Sequence, residues 1–358
     1  MNIRFLRTAT IIALVAIGVS TTILYGWSRR PIVIGFQGPL TGTAADLGVQ
    51  GRNGAQLAVE TLNAEGGVRR RALRLDARDD RNRREVAQEL VRAFEESDVD
   101  VVIGPMTSVA GLAVVEHVAT AGPLYVSPTV STPGVSDRDD FFFRLQAATD
   151  RPATVLGSFA TRELGVQRVA VIADTGNAEY SAAFTESFSQ SFEAHGGELV
   201  AAFEVPMSLD SRWSAMIESI AAENPEALLV VASAGDTARF VQAVRSVEPE
   251  WLLLGSGWAA TEVLPKIGGA AVDGMVLARM SFRALSSTPR GADFQNRFLR
   301  RFGRPPSFAA SQAYDAVMVV ARTMDRVGTD TARLREELSS LNRLETLLGP
   351  VTPTPTGA

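Results

Sequence analysis

The stretch Val101-Val-Ile-Gly-Pro-Met-Thr-Ser108 decides the reading of this chain. Val101, Val102 and Ile103 are a short β-branched run, the composition of a parallel strand covered on both faces. Gly104-Pro105 ends the strand. Thr107 and Ser108 are helix N-cap types, and the apolar positions Leu112, Val115 and Val118 continue a helix toward Gly122. A second strand with a hydroxyl-rich end follows at Leu124–Ser131, LYVSPTVS. If the two strands are neighbours, their hydroxyl tips share one sheet edge with the free N–H groups of a helix start, a setting that suits an anion. The alternative is that Thr107 and Ser108 only cap and residues 129–132 only turn.

Outward from this unit, strand and helix patterns alternate. Ile32–Phe36 is a strand, a helix runs to Ala64 and stops at Gly66-Gly67, Leu73–Ala77 is a strand and Arg83–Glu96 a helix. Phe141–Arg144 is a further strand. Near Ala147–Pro152 the order restarts: helix 153–164, strand 168–173, helix 180–194, strand 198–205, helix 213–223, strand 227–231, helix 236–247, strand 251–255, a helix near 261–267 and a strand at 274–278. Such alternation means doubly wound parallel sheets. Helices at 294–302, 307–327 and 331–341 have no new strands to cover, so they return to the first sheet. The expected architecture is α/β, two Rossmann-like lobes hinged over a cleft. Lobe 1 is 31–148 plus 281–347, and lobe 2 is 149–280 plus 348–358. Ligands in such sheets sit at the C-terminal strand ends, where Thr107, Ser108, Thr129 and Ser131 lie.

Composition narrows the function classes. The net charge is −5, and the first thirty residues hold four Arg and no acid, which leaves −9 for the rest. No basic patch of the kind a nucleic-acid binder carries is visible. The absence of Cys removes disulfides, thiolate metal sites, a Cys nucleophile and a lipid-anchor Cys. Residues 8–27 are uncharged, flanked by Arg4, Arg7, Arg29 and Arg30, and long enough to span a bilayer as a hydrophobic helix. Residues 1–30 are thus a signal anchor or a signal peptide, and the body is exported to the periplasm or the outer face of the cell membrane. The two histidines, His117 and His195, have no apparent catalytic partner. The motifs of nucleophile elbows, P-loops, zincins and dinucleotide folds are missing. The acidic pairs Asp79-Asp80 and Asp139-Asp140 read as solvated loop residues. The expectation is binding without catalysis and without a cofactor or metal.

With these features in place, the chain resembles the type I periplasmic solute-binding proteins of branched-chain amino acid and amide ABC transporters, the leucine/isoleucine/valine-binding kind. The resemblance rests on IGFQGPLTGTAADLGVQGRNGAQLAVETLNAEGGV from Ile34, LRLDARDDRNRREVAQELVRAF from Leu73, VVIGPMTS, LYVSPTVST and PSFAASQAYDAVMVVARTM from Pro306, in the family's order. It covers Ile32 to about Val351. It implies the Venus-flytrap architecture with three interlobe crossings, and an amino acid or other small carboxylate or amide held between the lobes. By resemblance, the ligand's carboxylate is held at Ser108, Thr129 and Ser131, Met106 and Thr107 line the site, and Tyr180 closes over it. The family's first-loop tyrosine falls on Leu47. The acid that pairs with the ligand's ammonium falls on Gly257, with Trp258 beside it, and the family's closing strand region is missing after Val351. A buried ammonium without its carboxylate loses about 2–5 kcal/mol. Asp236 is a candidate substitute, with helix capping as the alternative, and Trp258 offers an apolar wall. The expected ligand has a carboxylate or amide end and an apolar body, and the Gly257 departure favours one without an ammonium. The expected partner is an ABC permease or, if the N-terminal segment tethers the protein to the membrane, a signalling protein.

Overall fold

The computed structural model describes residues 30–351 apart from Asp98, Asp137, Asp139, 208–212, 248–249 and 280–284. The hydrophobic segment 8–27, Asp139 and the tail from residue 352 therefore lie outside the described residues. Among the described residues, no helix is long and apolar enough to cross a membrane.

The first lobe is built on β1 (Ile32–Gly38), β2 (Leu73–Asp79), β3 (Val101–Ile103), β4 (Leu124–Ser127) and β5 (Phe142–Arg144). They form one parallel sheet in the order β2-β1-β3-β4-β5. β3 is buried along its whole length, as its unbroken β-branched run demands. α1 (Ala45–Ala64) covers one face, and α2 (Arg84–Glu95) with α3 (Ser108–Val115) covers the other. The second lobe repeats the plan with β6 (Arg168–Asp174), β7 (Glu198–Val205), β8 (Ala227–Val231), β9 (Leu252–Gly255) and β10 (Val276–Leu277), ordered β10-β9-β8-β6-β7. α4 (Asp150–Arg162) and α5 (Ala178–Ala194) lie on one face, α6 (Trp213–Ala222) and α7 (Ala234–Val247) on the other, and α8 (Val263–Gly268) packs at the edge. Each fully buried Phe, Ile, Val or Leu of these four layers contributes about 1.5–3 kcal/mol of transfer free energy.

α9 (Pro289–Phe302), α10 (Phe308–Val327) and α11 (Thr331–Ser339) return to the first lobe, as the lack of further strands predicted. Phe294, Phe298, Val317, Val320 and Leu334 join the core of β1, β3 and β4. Three expectations need correction. The helix after Ser108 stops at Val115 rather than running toward Gly122. The chain does not enter lobe 2 at residue 348: β11 (Leu344–Thr346) and β12 (Gly349–Val351) form an antiparallel hairpin. Leu347 between them is buried in the first core, and its N–H bonds both carboxylate oxygens of Asp315 on α10. Among the described residues the chain accordingly stays with the first lobe through Val351. Finally, one acid of each pair is buried rather than solvated. Asp80 is fully buried and accepts the N–H of Asn82, and Asp140 is buried and accepts that of Phe142.

Gly104 explains why the opening motif turns where it does. Its φ is +129°, and a Cβ there would lie 2.1 Å from the carbonyl oxygen of Gln37. Only glycine allows β3 to turn against β1 in this way, and the turn carries Met106 and Ser108 to the sheet edge.

Candidate functional site

A cavity of about 420 Å³ opens between the lobes, within the range of drug-sized ligand sites. Its wall draws on both lobes: Leu47, Met106, Ser108 and Thr129 from the first, Asn177, Tyr180, Gly257 and Trp258 from the second.

At the first-lobe wall, Ser108 begins α3. Its Oγ accepts the backbone N–H of Thr132 at 3.3 Å and of Ser131 at 3.5 Å. With its lone pairs engaged by those donors, its own hydrogen is left to donate. Thr129 is the converse: its Oγ1 donates to the Met106 carbonyl at 2.5 Å, so lone pairs remain to accept. Neither Thr107 nor Ser108 caps α3 through its side chain. The Val109 N–H instead bonds Asn177 Oδ1 of the other lobe at 3.1 Å, so the second lobe supplies a capping acceptor for a helix of the first.

At the second-lobe wall, Tyr180 is buried beneath an edge-on Trp258, ring centroids 5.7 Å apart at 75°. Its hydroxyl sits among the side chains of Ser256 and Thr149 and the backbone of Trp258, and burial pushes its phenol pKa up. The Trp258 Nε1 is buried with no partner among the described residues. Gly257 presses against the backbone: a Cβ there would stand 2.7 Å from the Ala278 carbonyl oxygen. The lack of an acid at this position therefore has a steric cause.

Three of the ten residues singled out from sequence are not on the cavity wall. Thr107 and Ser131 are buried, and their hydroxyls have no partner among the described residues. Ser131 still touches the site, because its N–H is one of the two that Ser108 Oγ accepts. Asp236 is buried at the first turn of α7, bonded to Ser233 Oγ at 2.8 Å and paired with Arg239. Burial raises its pKa, and these partners oppose the shift. Ser233 Oγ, not Asp236, accepts a backbone N–H at this helix start, and the Asp236 carboxylate is bonded to Ser233 and to its own counter-ion, Arg239.

Sequence reasoning missed several wall residues: Gln146, Asn177, Glu262, Ser307 and Gln312. Glu262, the acid nearest to Gly257 along the chain, carried a legible signal. Its Oε1 accepts from Gln50 Nε2 of the first lobe at 2.6 Å, and Arg304 lies 4.0 Å away. Beside it Thr261 donates to Asp46 at 3.1 Å. On the opposite rim, Arg84 pairs with Glu179 at 3.2 Å and Asn82 Nδ2 donates to the Gly176 carbonyl at 2.6 Å. Cross-lobe bonds thus flank the cavity on both sides and hold the lobes together over it.

The periplasmic binding protein family model matches residues 31–357. The chain belongs to that family. It is 24% identical over 333 residues to the Leu/Ile/Val-binding protein BraC3 of Rhizobium johnstonii, covering 92% of this chain and 89% of the relative. It is 23% identical to the leucine-, isoleucine-, valine-, threonine- and alanine-binding protein of Pseudomonas aeruginosa, covering 91% and 86%. Among solved structures, it shares the fold of the branched-chain amino acid transporter substrate-binding protein LivJ of Streptococcus pneumoniae, in complex with isoleucine. The TM-score there is 0.82 at 21% identity, with 92% and 93% of the chains covered. A solute-binding protein of an ABC transporter from R. palustris, in complex with benzoate, gives a TM-score of 0.82 at 21% identity, with 91% and 90% covered. The two-lobe flytrap architecture expected from sequence is the one these proteins have.

Proposed function

We propose that this protein is an extracytoplasmic receptor that binds a small carboxylate with an apolar body in the interlobe cleft and delivers it to an ABC permease. The observation that carries this reading is the Ser108 hydroxyl, on the cavity wall at the start of α3, with its lone pairs met by backbone N–H groups and its proton available. Together with the helix start it forms a donor set for a carboxylate. Thr129, Met106, Leu47 and Tyr180 complete the wall around the ligand.

The other end of the ligand carries no ammonium. Gly257 has no room for an acid, Asp236 is paired with Arg239, and Glu262 already has the Arg304 guanidinium at 4.0 Å and the Gln50 amide as partners. Trp258 and Tyr180 supply an aromatic wall instead. Benzoate, seen in the R. palustris relative, has this chemistry, whereas isoleucine, seen in the S. pneumoniae relative, brings an ammonium that the cleft would leave unmatched. Titration calorimetry with leucine, benzoate and aliphatic acids tests the reading. Tighter binding of leucine than of any acid lacking an amine would refute it.

The uncharged run 8–27 supports tethering at the outer membrane face, which also suits a ligand sensor coupled to a signalling partner. Neighbouring permease and ATPase genes favour transport; a neighbouring kinase gene favours sensing.

A further inference from the structure

The cavity reaches well beyond the Ser108 end. Its wall also includes the start of α10, a 20-residue helix whose N-cap is Ser307. The Ser307 side chain does not cap that helix. Ser307 is 7% exposed, and its Oγ has no partner among the described residues. The residue's own N–H is already satisfied by Gln50 Oε1 at 3.3 Å, so the hydroxyl is not needed to position the backbone. One turn further on, Gln312 Oε1 is likewise buried on the same wall and unpartnered. Buried polar groups of this kind are normally satisfied, and those that are not call for an explanation.

The two groups make complementary demands. A side-chain carbonyl oxygen accepts only, a serine hydroxyl donates and accepts, and the first turn of a long helix offers N–H groups and positive potential. A group that both donates and accepts would satisfy all three. A second carboxylate would face the Gln312 oxygen without a proton to give it. Of the charged residues on the wall, Glu262 is already bonded to Gln50 and Arg279 is exposed. Nothing buried at this end stands ready to balance a second charge.

We infer that the solute is two-headed, with a carboxylate at Ser108 and a neutral hydroxyl or primary amide at the start of α10, bonded to Ser307 and Gln312. This rests on the carboxylate reading given above and extends it to the far end of the same cavity. One cavity with two polar ends selects for length as well as chemistry, because both heads bind only when the spacer matches the span.

The test is calorimetry on the full chain with three homologous series of four to ten carbons: alkanoates, ω-hydroxyalkanoates and α,ω-dicarboxylates. At one chain length the hydroxy acid should bind about tenfold more tightly than the alkanoate, the gain expected for one or two neutral hydrogen bonds to groups otherwise unpaired. Ser307→Ala should remove most of that gain, read as the ratio of hydroxy-acid to alkanoate affinity in the same variant. Gln312→Met should act in the same direction and checks that the effect is not peculiar to one variant. The inference is overturned if no length shows a hydroxyl advantage, if the dicarboxylate binds best, or if Ser307→Ala leaves the ratio unchanged. Ser108→Ala separates the two readings: it should weaken all three series alike. If it does so while the ω-group has no effect, only the second head is lost. If it changes nothing, or no acid binds at millimolar concentration, the carboxylate reading fails and takes the second head with it.

Discussion

Replacing Ser108 with alanine tests the central claim most directly. The side chain has two separable jobs. Its lone pairs receive the N–H groups of Ser131 and Thr132 at 3.5 and 3.3 Å, and on the proposed reading its proton is donated to the ligand's carboxylate. A hydrogen bond to a charged group is worth about 1.5–3 kcal/mol. At 1.36 kcal/mol per tenfold, Ser108→Ala should weaken binding of benzoate or an aliphatic acid about 10- to 150-fold. The structural loss is smaller, because both accepted bonds are long. An upper figure of about 1 kcal/mol for the pair corresponds to a fall in melting temperature of about 2 °C in a chain of this size.

The assay is therefore paired: calorimetry for affinity, and thermal unfolding without ligand for the fold. A large loss of affinity with a small loss of stability is the expected signature. The mechanism is refuted if the melting temperature falls as predicted while acid affinity stays within twofold. Ser108 would then be a packing residue that braces the turn at 129–132, and the carboxylate would have to lie elsewhere.

Trp258→Phe keeps an aromatic edge against Tyr180 and deletes a buried donor that has no protein partner. Ligand-free stability should hold or rise, and acid affinity should fall about fivefold if the indole N–H meets the ligand, read by thermal unfolding and calorimetry. Gly257→Ala sets a Cβ 2.7 Å from the Ala278 carbonyl and should cost about 1–3 kcal/mol in a denaturant melt; Gly257→Glu should not restore leucine binding. Asn177→Ala removes the cross-lobe acceptor for the Val109 N–H, so small-angle scattering should show a larger ligand-free radius. Burial raises the Asp80 carboxyl to about 7 from 3.8. The folded chain then holds a proton that the unfolded chain has released, so stability is lost as pH rises from about 4 to about 7, by up to about 4 kcal/mol. Asp80→Asn should flatten that slope and raise the melting temperature more at pH 8 than at pH 5.

The reach of the sequence varied with how local the controlling physics is. The β-branched run at 101–103 and the unbroken apolar run at 227–231, and the breaks between them and the next helices, set strand and helix identity within a few residues, so both sheets were legible. The hairpin at 344–351 was not. Its strands are three residues each, too short to show a period, and it is held by a contact between Asp315 and Leu347 that sequence does not display. That Ser108, Thr129 and Tyr180 line the cavity follows from their places at motif ends. Thr107 and Ser131 lie off the cavity wall, because hydroxyl chemistry says nothing about which side of a sheet edge a side chain takes. Asn177, Glu262 and Ser307 were missed because each acts across a gap in the chain of many residues, or through a helix start whose cap type looked ordinary.

The change at Gly257 also has consequences for how the cleft closes. The Ala278 N–H bonds the Gly255 carbonyl at 3.0 Å, so the strand ends on either side of residue 257 are drawn together and no side chain fits between them. The wall there is then Trp258, which carries a dipole and an aromatic face but no charge. The nearby carboxylate, Glu262, bonds Gln50 of the opposite lobe, and that same glutamine also takes the Ser307 N–H and donates to the Pro305 carbonyl at 3.2 Å. A single buried side chain thus connects the second-lobe rim, the segment returning to the first lobe, and the start of α10. On the proposed reading, the bond that joins the two rims at this end is one between a neutral amide and a carboxylate of the protein itself. A solute with no positive charge leaves that internal bond intact, whereas an ammonium placed at this end would share the Glu262 carboxylate with Gln50 and Arg304.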